Sequence, residues 1–256
     1  MSEPIRIPRP SAGLLPLEGR ALLELVALLP AYPFLRRAPV GDGHPVLVLP
    51  GLMAGDFSTR ALRGFLRDKG YGAHGWKLGR NLGPNYAVVA AMVERVRELH
   101  TRYSRRVSLI GWSLGGIYAR ELARGLPEAV RQVITLASPF RDLDAVSVPR
   151  FLRTRARRRS AVADDHTTRA RLREPLPVPT TAIVSRTDAI ASWQSCCTES
   201  GPFSENLEVE SSHLGIGHHP VVLLAIADRL AQPENAWRPF EPPRGWRFPL
   251  VPRVLE

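Results

Sequence analysis

From Val46 onward, short apolar runs alternate with stretches whose apolar residues recur every three or four positions. Compact runs of valine, isoleucine and leucine bounded by glycine, proline or charge read as strands buried on both faces. The three-to-four period reads as helix. The predicted strands are VLVLP (46–50), YGAHGWKL (71–78), VSLIG (107–111), QVITLA (132–137), TAIVS (181–185) and NLEVE (206–210). Helical patterns fall between or after them at 58–69, 87–102, 115–124 and 220–231; in the second, Val89, Met92, Val93, Val96 and Leu99 lie close to helical spacing. Strands alternating with helices predict an α/β fold with a mostly parallel sheet covered on both sides. No internal repeat is visible.

Two stretches depart from the alternation. After ASPF (137–140) some forty residues pass before the next strand, a length that in a compact domain signals function or disorder. That stretch holds nine arginines between Arg150 and Arg173. Its place beyond a strand's carboxyl end predicts a cap or lid insertion at about 141–178, with a solvated arginine-rich loop as the alternative. Before the first strand, LEGRALLELVALLP (17–30) reads as an amphipathic helix packed on the domain. It is too short to span a bilayer and carries Glu18, Arg20 and Glu24, so membrane contact there is at most a weak surface association. The expected organisation is an N-terminal extension (1–45), one α/β domain (46–232) and a Pro/Arg-rich tail (233–256).

Composition changes this picture little. The chain has 256 residues and a formal net charge of +11, enough for one domain with a sizeable core. Lys69 and Lys77 are the only lysines, an arginine bias typical of a GC-rich coding sequence, and no nucleic-acid-binding signature accompanies it. No nucleic-acid partner is expected. Cys196 and Cys197 are neighbours and rule out a disulfide framework. With no continuous apolar core in MSEPIRIPRP, a cytoplasmic protein is expected.

The chemistry gathers around GWSLGG, which sets Gly111, Ser113 and Gly115 in the pattern G-x-S-x-G between a strand and a helix. A serine on so sharp a turn projects its hydroxyl above the sheet edge, and flanking glycines remove side chains that would clash. The following helix aims free N–H groups at the site, which favours a developing oxyanion. The serine needs a base. His44, His74, His100 and His166 fall before the first strand, within a strand, at a helix end and in the arginine-rich stretch. That leaves SSHLGIGHHP, where His213 lies nearest the last strand's end while His218 and His219 open the final helix. For the acid that orients the imidazole, Asp188 follows a strand directly, with Asp142 or Asp144 as competitors. The oxyanion donors are the backbone amides of Leu114 and, in the loop after the first strand, Leu52, where Gly51 permits close approach. Met53 and Phe57 would reach into the acyl pocket. No residue cluster has metal-ligand spacing.

Together LPGLMAG, GWSLGGIYARELA, ITLASPF, VSRTDAI and SHLGIGHHP resemble the α/β-hydrolase superfamily, and within it the lipase and carboxylesterase branch. The resemblance implies Ser113 as nucleophile, His213 as base, Asp188 as acid and Leu52 and Leu114 as oxyanion donors. It implies a pocket built from Gly51, Met53, Phe57, Trp112 and Trp193, a small-molecule ester or lipid substrate, and no cofactor. Two departures stand out. Lipases commonly carry His-Gly where this chain has Pro50 and Gly51, and the family's first two strands are not evident before Val46. A sheet reduced to about six strands is therefore expected. Thioester, lactone or carbon–carbon bond hydrolysis and acyl transfer remain open on the same triad, as does a non-catalytic binding or membrane-surface protein.

Overall fold

The apolar runs become strands because both of their faces are covered. The computed structural model describes residues 7–148, 154, 166–199, 201–242 and 249–255. Within β1 (Pro45–Leu49) every residue is buried. Val46 and Val48 pack on one side of the sheet with Ile110, Ile134 and Ile183, while Leu47 and Leu49 pack on the other with Leu109 and Val133. Successive strand residues face opposite ways, so two covered faces require an apolar run without polar interruption.

The helices supply the cover. On the first face lie α3 (Arg60–Asp68), through Leu62 and Leu66, and α8 (Pro220–Leu230), through Val222, Leu223 and Ile226. On the second lie α4 (Tyr86–Tyr103), through Met92, Val96 and Leu99, and α5 (Leu114–Gly125), through Ala119 and Leu122. Local chemistry fixes their ends. The Asn85 side chain accepts the Val88 N–H at the start of α4, and Ser104 closes that helix in a left-handed conformation. At α8 the His219 ring accepts the Val221 N–H ahead of Pro220.

The remaining strands are β2 (Gly72–Gly75), β3 (Val107–Trp112), β4 (Val130–Leu136), β5 (Thr180–Val184), β6 (Ser204–Glu208) and β7 (Arg253–Leu255). They order as β2-β1-β3-β4-β5-β6-β7, the first six parallel and β7 antiparallel to β6. The sheet thus has seven strands rather than about six. The seventh comes from the segment read as tail, because a three-residue run is too short to show a period. The order also sets the site. The chain leaves β1 through α3 toward β2, then returns to place β3 on the opposite side of β1. The loops after β1 and β3 therefore diverge to opposite faces and open a crevice between the strands' carboxyl ends.

The N-terminal segment differs most from expectation. It forms a 3-10 helix (Ala12–Arg20), α1 (Ala21–Val26) and α2 (Leu28–Leu35). Leu28, Ala31 and Leu35 pack on the core, yet Glu18 and Glu24 are buried while Leu22, Leu23 and Leu29 stand 67%, 70% and 78% exposed. The carboxylates face inward because they meet backbone N–H groups of the domain. Among the described residues no helix is long and apolar enough to cross a membrane. The middle of the expected cap, 149–153 and 155–165, lies outside the described residues. Its far end forms α6 (His166–Arg173), anchored by buried Leu172, by Arg169 to Asp144 at 2.8 Å and by Arg171 to Glu121.

Strand β6 and helix α8 bracket the loop that carries His213, and one buried ion pair fastens them. Arg229 Nη1 lies 2.8 Å from Glu205 Oε1, both side chains buried. Thr181 Oγ1 and the Phe240 N–H donate to the same carboxylate at 2.9 and 2.7 Å. Arg229→Met removes the cation and strands a buried carboxylate, so urea unfolding should register a loss of about 3–5 kcal/mol. A loss below about 1 kcal/mol would mean that solvent already screens the pair.

Candidate active site

Ser113 sits between the end of β3 and the first residue of α5 with φ 53° and ψ −120°, a strained conformation for a residue with a Cβ. The strain follows from close backbone packing. A Cβ at Gly111 would overlap the backbone of Gly115 and Gly116, one at Gly115 would overlap the Leu49 carbonyl of β1, and one at Gly116 the Ser138 hydroxyl. Strand and helix cross with no side chain between them, which leaves Ser113 to make the whole turn. Its N–H donates to Leu136 O at 2.8 Å and its carbonyl accepts from Gly116. Its hydroxyl caps no N–H of α5, although Ser113 holds the N-cap position.

Asp188 and His213 come from successive loops, after β5 and β6, and meet. His213 Nδ1 lies 2.7 Å from Asp188 Oδ2, with both side chains buried. The other carboxylate oxygen accepts the N–H groups of Ile190 and Ala191 at 2.7 and 2.8 Å, which fixes its direction. Burial alone would lower the imidazole pKa. The charge and hydrogen bond of Asp188, with the Glu18 charge added, outweigh it, and the net shift is upward. Trp112, next to Ser113, donates its indole N–H to the His213 carbonyl at 3.0 Å, and the two rings lie 6.2 Å apart. Among the described residues the Ser113 hydroxyl and the His213 ring are not hydrogen-bonded to each other; Trp112 links their segments. The competing acids are engaged elsewhere, Asp142 with the N–H groups of Ile7 and Asp144, and Asp144 with Arg169.

The loop after β1 lies against the serine, since a Cβ at Gly51 would stand 3.3 Å from Ser113 Cβ. Neither the Leu52 nor the Leu114 N–H has an acceptor among the described residues. Sequence reasoning missed what holds this loop. Buried Asn81 donates from Nδ2 to Pro50 O at 2.9 Å, accepts the Met53 N–H at its carbonyl at 2.7 Å, and donates its own N–H to Ala54 O at 2.8 Å. Tyr118 of α5 donates its hydroxyl to Asn81 Oδ1 at 3.1 Å. One amide thus ties the loop after β1 to the helix behind Ser113. The only signal in the sequence is an asparagine set in the glycine-rich GRNLGP, which reads as an ordinary turn.

The expected pocket residues separate. Met53 takes a left-handed turn and is partly exposed beside Leu52, and Phe57 stands 84% exposed. Trp193, first residue of the short α7 (Trp193–Cys196), packs with Val184, Ala191 and Cys196, its ring covered by the Arg186 guanidinium at 4.0 Å, which is a packing role. Among the described residues no group of His, Cys, Asp and Glu could hold a metal ion.

A second Ser–His–Asp contact exists at the opposite end of the sheet. His44 Nε2 lies 2.8 Å from Ser108 Oγ and its Nδ1 2.5 Å from Asp42 Oδ1. Burial and the Arg131 charge push His44 down to about 4, although Asp42 opposes them. Ser108 is fully buried near the start of β3, with no elbow or helix N-terminus beside it. This network satisfies polar groups beneath the sheet and offers a substrate no approach.

No family model matches the chain, and no curated protein matches its sequence. Solved structures do. Aspergillus fumigatus lipase B is similar with a TM-score of 0.58 at 16% identity, covering 76% of this chain and 54% of that one. This chain therefore spans just over half of that lipase's length. Bacillus licheniformis lipase BlEst2 in mature form gives 0.52 at 14% identity, covering 76% and 94%. Paleococcus ferrophilus monoacylglycerol lipase gives 0.51 at 13%, covering 73% and 96%. The likeness is one of fold: with its largely parallel sheet, its covering helices and its strand-to-helix elbow, the chain has the α/β-hydrolase fold.

Proposed function

We propose that the protein is a serine hydrolase of carboxylic esters working through an acyl-enzyme. The observation that carries this reading is the Asp188-bound His213, joined through Trp112 to a strained elbow serine. The Ser113 oxygen attacks the ester carbonyl carbon as its proton passes to His213 Nε2. The carbonyl oxygen, now negative, is held by the open N–H groups of Leu52 and Leu114. Collapse of the tetrahedral species breaks the carbon–oxygen bond to the alcohol, which leaves with the proton from His213. Water then attacks the acyl-serine, its proton going to His213 and on to Ser113, and the carboxylic acid departs. Asp188 keeps the tautomer and stabilises the transient imidazolium. The exposed leucines beside this loop system support a lipid or apolar ester as substrate, delivered from a surface the protein contacts weakly. Two free, buried cysteines support a reducing, cytoplasmic setting.

Against p-nitrophenyl esters of graded acyl length, Ser113→Ala should lose activity by about a million-fold with an unchanged circular dichroism spectrum. Activity within tenfold of wild type would exclude Ser113 as nucleophile.

Asp188→Asn should lower kcat by about ten-thousand-fold, since the amide can stabilise the wrong imidazole tautomer. Asp142→Asn should stay within about threefold of wild type, and the reverse ranking would move the acid to the loop after β4.

Because His213 must be neutral to accept a proton and its pKa is shifted upward, kcat/KM should fall as pH drops, with a midpoint above the ordinary imidazole value of about 6.5. A midpoint well below that value would contradict the electrostatics of the Asp188 pair.

A further inference from the structure

Resting on the serine-hydrolase reading, we infer that Glu18, in the N-terminal segment outside the sheet, is a positioning residue that staples the acid loop to the base loop. Its Oε1 accepts two backbone N–H groups, from Ala189 and His213, each at 3.0 Å. Its Oε2 accepts the Leu214 N–H, also at 3.0 Å. One carboxylate thus holds the residue after Asp188 together with His213 and its successor. Glu24 grips the same base loop one step earlier. It accepts the Ser212 N–H at 2.8 Å and the Ser212 and Ser211 hydroxyls at 2.7 and 3.3 Å. Arg20 lies between them, 3.2 Å from Glu24, and donates to Thr187 Oγ1 beside Asp188.

Fold stability alone does not account for this arrangement. Glu18 and Glu24 are the only acidic residues between 7 and 41, and both are turned into the protein while leucines of the same segment face outward. A stability-driven amphipathic helix would do the opposite, because buried carboxylates cost desolvation and exposed leucines forgo burial. What the inverted orientation obtains is three charge-assisted hydrogen bonds to loop backbone at the base itself. The loop is shaped to receive the acids: a Cβ at Gly215 would overlap the Glu24 carboxylate. The charged groups around the imidazole and its loop are Asp188, Glu18, Glu24 and Arg20, and Glu18 acts with Asp188 to favour the imidazolium. Glu18 therefore sets both where His213 stands and how basic it is.

The two acids differ in a way that makes the inference testable. All three Glu18 donors are backbone N–H groups, which cannot accept. Two of the Glu24 donors are hydroxyls, which can. Glu18→Gln therefore sets an amide NH2 against an N–H and removes the charge. It should lower kcat by about ten- to a hundredfold with KM nearly unchanged, the loss expected from slight misplacement of a catalytic group. It should also shift the NMR titration of the His213 imidazole to lower pH. Glu24→Gln should stay within about threefold, because Ser211 and Ser212 can turn their hydroxyls to accept. If folded Glu18→Gln is scarce, Glu18→Asp keeps the charge but shortens the reach, and it should lose kcat while holding the His213 titration near its wild-type midpoint. The titration needs no ester, so wild-type inactivity toward esters would count against the hydrolase reading alone. An unmoved His213 titration in Glu18→Gln with kcat within threefold, or an undiminished kcat in Glu18→Asp, would overturn the inference.

Discussion

At Gly111, Gly115 and Gly116 the backbones of β3, α5 and β1 come into contact with no side chains between them. That contact compresses the connection between strand and helix into one residue and drives Ser113 to φ 53°. Such a conformation costs of the order of 1–3 kcal/mol and persists only where the surroundings over-determine it. Here the Ser113 N–H is held by Leu136 on one neighbouring strand, and Gly51, in the loop after the other, lies against the serine's Cβ. The strand order places these parts together, because the chain switches direction at β1 and β3.

Around the elbow the polar groups are arranged from outside the sheet. Asn81, in the segment after β2, holds the loop after β1. Residues 18–24, before the sheet begins, hold the loops of Asp188 and His213. The sheet sets the coarse positions through strand register, and these distant side chains set the fine ones. The contrast with His44 is instructive. Its contacts with Ser108 and Asp42 resemble a triad by distance alone. Yet burial and Arg131 depress its basicity, whereas Asp188 and Glu18 raise that of His213. Access, backbone strain and the sign of the local field separate the proposed catalytic group from the network at His44.

β1, β3, β4 and β5 were legible because each is a run whose apolar character stands out against flanking turns, whereas β2 (GAHG) and β6 (SENLE) carry little apolar character and were legible through their place in the alternation. The elbow was legible because strand, glycines and helix occur in one continuous stretch. The contact between Asp188 and His213 could be read from chain order, since each follows a strand end and their loops neighbour in a parallel sheet. β7 was hidden by its length, and the role of Asn81 by its turn-like neighbourhood. The N-terminal segment misled for a physical reason: its leucines suggested the buried face, but the orientation answers to loop N–H groups 170 or more residues away. Such long-range pairing between a side chain and a backbone group leaves no local period. The same limit separated Trp112 from Trp193, whose differing surroundings depend on tertiary contacts.

The most direct measurement is covalent labelling by a fluorophosphonate, which reacts with an activated serine hydroxyl whatever the natural acyl chain. Ser108 and Ser113 share one tryptic peptide, 107–120, so fragmentation between them assigns the adduct in a single spectrum. The expected result is one adduct, on Ser113, with labelling greatly slowed in His213→Ala. Absence of any adduct on folded protein, or an adduct on Ser108, would contradict the assignment of Ser113 and His213 as the catalytic pair.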